Sequence, residues 1–202
     1  MPSIYEIKPK FQSLLRPLTQ KFAGWGISAN QVTLAALILS LATGLALVFA
    51  GTQTQIFLLV PLVMFIRMAL NAIDGMLARE HGMKTPLGAI LNELCDVISD
   101  AALYLPFALL PEIAPWLVVL LVVAAIISEM TGVVAVQIGA SRRYDGPMGK
   151  SDRAFVFGAL ALALGLGMPS GSWLNELFGV VLLLTLATIY NRAKHALDEI
   201  KP

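Results

Sequence analysis

The sequence predicts an all-α integral membrane protein with six transmembrane helices and an N-terminal amphipathic surface helix. Three observations carry this. Hydrophobic residues make up 57% of the 202 positions and charged residues only 13%, and the mean hydropathy is +0.78, far from the soluble norm. Six apolar stretches, near 30–50, 56–78, 88–110, 115–139, 154–169 and 173–193, come close to or reach the roughly 17–25 residues that a bilayer crossing needs. The basic residues, finally, gather in alternate connections.

Of the 14 Lys and Arg, all but Arg67 fall in the N-terminal segment, the 79–84 connection, the 142–153 connection or the C-terminal tail. The connections "GTQTQ", "LPEIAP" and "MPSGSWLNE" hold none. The positive-inside rule then places both termini and the two basic loops in the cytoplasm, as expected for a multi-pass protein of a bacterial inner membrane.

Taken in order, residues 1–26 form a juxtamembrane segment. Ile4, Ile7, Phe11, Leu14, Leu18 and Phe22 recur every three or four positions, the pattern of a helix lying on the membrane or packed on the protein itself. Pro9 and Pro17 predict breaks in it, and nothing in it resembles a cleavable leader. "SANQVT" reads as a helix start, with Ser28 or Asn30 as the cap. Residues 27–196 form one membrane domain, and 197–202 a cytoplasmic tail. Cys95 stands alone, so no internal disulfide is expected; His81 and His195 read as solvated loop and tail residues.

The chemistry lies in the second and third apolar stretches. "NAIDGMLAR" places Asn71, Asp74, Gly75 and Ala78 within a narrow arc of a helix, with Arg67 on the same side. Gly88, Asn92, Asp96 and Asp100 recur every four residues on the next helix. The short connection makes the two helices antiparallel neighbours, so the stripes can face each other near the cytoplasmic surface. Isolated carboxylates there would cost several kcal/mol each. Oxygen donors gathered around a cation would not, and carboxylate and amide oxygens suit magnesium, manganese or calcium. A divalent ion beside Arg79 is in turn a site for phosphate. Singly, Gly75, Ala78 and Gly88 read as ordinary small-residue packing; beside an acidic stripe they also permit close approach of a ligand.

The run Asp74-Gly75-x-x-Ala78-Arg79, followed after eight residues by Gly88, then Asn92 and Asp96, resembles the signature of the CDP-alcohol phosphatidyltransferases, D-x-x-D-G-x-x-A-R, eight residues, G-x-x-x-D-x-x-x-D. The resemblance implies a six-helix homodimer that uses one or two Mg2+ or Mn2+ ions and a CDP-alcohol such as CDP-diacylglycerol. A small hydroxyl acceptor would attack the donor phosphorus and release CMP, as in phospholipid biosynthesis. Carried over residue by residue, Asn71, Asp74, Asn92 and Asp96 are the metal positions, Asp96 is the general base, and Asp74, Gly75, Ala78, Arg79 and Gly88 shape the CDP site. Membrane lipids are expected partners and nucleic acid is not.

Asn71 and Asn92 stand where the pattern has aspartate, which removes two of its four negative charges. Three explanations are open: the donor diphosphate brings in the second metal; Asp100 or Glu93 joins the ligand shell; or the chain binds its ligand without catalysis. Elsewhere, Glu129 falls midway along the fourth stretch, as a functional acid or as a partner for Arg67. In "SRRYDGPMGKSDRAF", Arg142 and Arg143 read as topology-setting charges, and Lys150 and Arg153, at a helix start, as candidates for the acceptor or its phosphate. Asn191, Arg192 and Lys194 read as the interfacial end of the last helix. A cation-coupled transporter would also use intramembrane acids but usually shows inverted repeats. A prenyltransferase would need a second acidic motif.

Overall fold

The structure, a computed structural model, describes residues 4–51 and 53–201, with side chains from residue 9. The described residues form seven α-helices and no strand: α1 Ile4–Gly24, α2 Ala29–Phe49, α3 Leu59–Glu80, α4 Pro86–Tyr104, α5 Pro115–Val134, α6 Lys150–Gly165 and α7 Trp173–Glu199. Short 3-10 segments precede α3 (Thr54–Leu58) and follow α4 (Leu105–Leu109) and α5 (Ala135–Ile138).

Among the described residues, four helical stretches are long and apolar enough to cross a membrane: Ala29–Phe49, Thr54–Glu80, Pro115–Ile138 and Trp173–Glu199. The stretches expected at 88–110 and 154–169 behave differently. Helix α4 ends at Tyr104 and carries Glu93, Asp96 and Asp100. Helix α6 has 16 residues, which at 1.5 Å per residue is about 24 Å, short of a hydrocarbon core about 30 Å thick.

The chain divides into two compact units, Met1–Ala42 with Leu62–Ser99, and Thr43–Pro61 with Asp100–Pro202. In the first, Ala29, Val32, Ile73, Met76 and Leu77 form a buried cluster against which Leu15, Phe22 and Ala23 of α1 pack. The breaks expected at Pro9 and Pro17 do not occur, and α1 is one helix. Tertiary contacts hold it: Phe11 meets Phe65 edge-on at 6.4 Å, and Arg16 pairs with Glu80 at 3.0 Å. The periodic face divides, with Phe11 and Phe22 turned inward and Leu14 and Leu18 exposed. Residues 1–3 and the side chains of Ile4 and Ile7 lie outside the described residues. At the start of α2 the cap is Ser28: its Oγ accepts from the Gln31 amide N–H at 3.3 Å, and Gln31 Oε1 accepts from the Ser28 N–H at 2.8 Å, a reciprocal capping box.

The second unit is built on aromatic packing. Tyr104 stacks on Phe157 at 3.9 Å, Phe107 meets Phe57 and Phe157 edge-on, and Phe178 stacks on Phe157. Such pairs contribute about 0.5–1.5 kcal/mol each beyond their buried area. The connection between α5 and α6 is fastened to α7. Arg143 grips Asp145 through two N–H bonds of 2.7 and 2.9 Å and reaches Glu199 at 2.6 Å. His195 Nδ1 lies 3.1 Å from Asp145, so this histidine has a carboxylate partner rather than only solvent.

The Arg143 guanidinium holds the Asp145 carboxyl at about 2, below its ordinary 3.8. Its folded value is depressed, so the stability it lends is fully present above pH 4 and drains away as the pH falls toward 2. Unfolding in detergent across that range should show a pH-dependent loss that Asp145→Asn reduces. An unchanged slope in the variant would assign the loss to other carboxylates.

Candidate functional site

Within the first unit, the ends of α3 and α4 meet through a tight connection. Gly82, with φ +67°, closes α3 while the His81 and Met83 amides return to the Leu77 carbonyl, a left-handed C-terminal cap. Thr85 Oγ1 accepts from the Gly88 N–H at 2.9 Å and caps α4, and Pro86 fills the first helical position, where no amide hydrogen is needed.

This turn leaves a cavity of about 320 Å³ whose walls include Asn30, Thr33, Asp74, Gly75, Ala78, Arg79, Lys84, Gly88, Asn92 and Glu93. The volume is in the range of small-molecule sites. Asp74 is 6% exposed and accepts a 2.7 Å hydrogen bond from the Thr33 hydroxyl. Arg79 folds back over Gly75, where an added Cβ would lie 3.1 Å from its Nη2. At Gly88 the same addition would meet Asn30 Oδ1 at 2.7 Å. A side chain at either position would push the Arg79 guanidinium or the Asn30 amide from its place. From sequence Asn30 was read only as a candidate cap of α2 and Thr33 was not singled out; the signal was a polar pair one turn apart at the head of an apolar helix.

Asn71 and Asp96 are not among the lining residues. The Asn71 Nδ2 donates to Asp96 Oδ1 at 3.1 Å, and Arg67, 6% exposed, lies 3.7 Å from the same oxygen. Asp100, one turn further along α4, is 7% exposed and belongs to the second unit.

Lys150 and Arg153 also belong to that unit. Lys150, half-buried, opens α6. Arg153 is 1% exposed; it donates to Glu129 Oε1 at 2.8 Å and to the Met148 carbonyl at 2.9 Å. The same Glu129 oxygen lies 3.3 Å from Arg192, which donates to the Ser128 carbonyl at 2.6 Å. Two expectations change here. Glu129 pairs with Arg153 and Arg192 and not with Arg67, and Arg192 is a buried partner, 2% exposed, rather than an interfacial helix end. Helix α7 runs on to Glu199, which draws Arg192 inside the bundle.

The donor set also tests the expected metals. Asp74 and Asn92 bring a carboxylate and an amide oxygen to the cavity wall, hard donors that suit a divalent ion. Among the described residues, no three or more His, Cys, Asp or Glu come together as a metal cluster. Asp96 accepts from Asn71 Nδ2 and has the Arg67 guanidinium beside it, two groups that a cation would have to displace. The residues fit one divalent ion at the cavity and do not fit a second at Asp96.

A cavity at the ends of α3 and α4, walled by oxygen donors, Arg79, Lys84 and two glycines, has the size and charge to take an anionic, phosphate-bearing ligand. Residues 26–190 match the family model of CDP-alcohol phosphatidyltransferase, and the chain belongs to this family of transferases. It is 51% identical over 195 residues, 96% of each chain, to the inner membrane protein YnbA of Escherichia coli. It is 32% identical over 104 residues to the archaetidylinositol phosphate synthase of Pyrococcus horikoshii, covering 52% of this chain and 53% of the other. The fold is similar to that of the phosphatidylinositol phosphate synthase of Mycobacterium tuberculosis, solved in complex with manganese and citrate and with CDP-DAG bound. The TM-score is 0.75 at 19% identity, covering 92% of this chain and 91% of the other in the manganese complex.

Proposed function

We propose that this protein transfers a substituted phosphate group from a CDP-alcohol, CDP-diacylglycerol in the first instance, to a hydroxyl acceptor and releases CMP. The observation that carries this is the gathering of Asp74, Gly75, Ala78, Arg79, Gly88 and Asn92 around one cavity. Arg79 and Lys84 would face the donor diphosphate, and Gly75 and Gly88 would let it approach the backbone. Asp74 and Asn92 would hold a divalent ion, which supplies charge stabilisation to the phosphoryl oxygens when bound. At the other two signature positions Asn71 and Asp96 face each other beside Arg67, and neither is proposed as a ligand of that ion.

Asp96 would accept the acceptor's proton as the new oxygen–phosphorus bond forms and the bond to CMP breaks, a reaction that depends on positioning and charge more than on covalent help. Lys150 would meet the acceptor's anionic group from its half-buried position, and Arg153 would support it from the interior. We further infer six membrane crossings, with α4 and α6 added to the four apolar stretches, α1 lying on the membrane surface, both termini cytoplasmic, and a homodimer in a bacterial inner membrane.

Purified protein in detergent, given CDP-diacylglycerol, Mg2+ or Mn2+ and a panel of hydroxyl acceptors, should release CMP only with its acceptor and should stop when EDTA is added. The substitution of asparagine at 71 and 92 supports a second reading, a relative that binds the donor and does not turn it over. Metal-dependent CDP-diacylglycerol binding without CMP release under any acceptor would establish that reading instead.

A further inference from the structure

The signature positions of this chain leave one cation unaccounted for, and the first unit contains a buried positive charge beside them. Arg67 is four residues before Asn71 on α3, so its side chain leaves the same helical face. It is 6% exposed, and its guanidinium lies 3.7 Å from Asp96 Oδ1. Asn71 presents an N–H to that same oxygen at 3.1 Å. An aspartate at 71 would instead face Asp96 with like charge and would need a cation between them. The asparagine needs none, and Arg67 supplies the charge that Asp96 requires.

We propose, on the basis of the transferase reading above, that Arg67 is a positioning residue standing in for one of two divalent cations, so that this is a one-metal site. Asp74 and Glu93 at the cavity are matched by Arg79 and Lys84 and Asp96 by Arg67, so these six side chains carry no net charge, and Asn71 and Asn92 add none. The donor's diphosphate, with about two negative charges, then offsets one divalent ion, and a second would stand uncompensated. A second ion bound to Asp96 would also stand against the guanidinium at close range, where two cations repel strongly away from bulk water. Asparagine at 71 and 92 and the presence of Arg67 thus act together: the guanidinium lies beside Asp96 and orients it, and the single ion serves the Asp74 side of the cavity.

The test is a count of Mn2+ by electron paramagnetic resonance on the full-length protein in detergent, saturated with CDP-diacylglycerol, a readout independent of turnover. One Mn2+ per chain is expected for the wild type, and two for the triple variant Arg67→Gln, Asn71→Asp, Asn92→Asp. Arg67→Lys, which keeps the charge, should stay at one. Two Mn2+ in the wild type would overturn the inference and leave the transferase reading intact. A triple variant that binds CDP-diacylglycerol and still takes one would also overturn it. No Mn2+ and no CDP-diacylglycerol binding in the wild type would instead bring down the transferase reading itself.

Discussion

Asp96→Asn is expected to lower acceptor-dependent CMP release by about 10²–10⁴-fold, the usual contribution of a positioned general base. The protein should remain folded, because asparagine keeps the size of the side chain and an oxygen able to accept from Asn71 Nδ2, 3.1 Å away in the wild type. Comparing the wild type and the variant for both kcat/KM and thermal unfolding separates the two roles of the residue. Full activity in the variant would remove Asp96 as the base and move that role to Asp100, the next carboxylate on the same face of α4.

Glu129→Ala is expected to have the largest effect on stability. It would leave two guanidiniums, Arg153 at 1% and Arg192 at 2% exposure, with no carboxylate between them. Removing one partner of a buried ion pair costs about 3–5 kcal/mol, because the remaining charge is left uncompensated. In a chain of this size that corresponds to a fall of roughly 6–20 °C in Tm. Glu129→Gln keeps an accepting oxygen for Arg153 and should lose less. A shift under about 2 °C for the alanine variant, followed by tryptophan fluorescence in detergent, would mean that the cluster does not depend on Glu129 for its charge balance.

Several features were legible in the sequence because they depend on local rules. The apolar runs of α2, α3, α5 and α7 follow from composition and length alone. The polar stripe of α3 follows from the 3.6-residue period, and its fixed offsets from the first residues of α4 were enough to single out Asp74, Gly75, Ala78, Arg79, Gly88 and Asn92, which line one cavity. The start of α2 was readable from its side-chain types, with Ser28 and Asn30 both open as the cap, and the structure chose Ser28. Other features were not legible because their causes lie across the fold. Pro9 and Pro17 predict breaks, whereas α1 is one helix that packs on the buried cluster and pairs with α3 through Phe11 and Arg16.

The sequence by itself determined that this is a helical membrane protein with a phosphate-directed signature, because hydropathy and helical spacing are properties of neighbouring residues. Only the tertiary structure decided the pairing of its buried charges. Arg67 could have faced Glu129 or Asp96, and Arg192 could have ended a helix in solvent. Folding took Arg67 to Asp96 and took Arg153 and Arg192 to Glu129. The physical reason is that a charge removed from water must find its counter-charge in space, and proximity in space between separate helices is not written in any spacing along the chain.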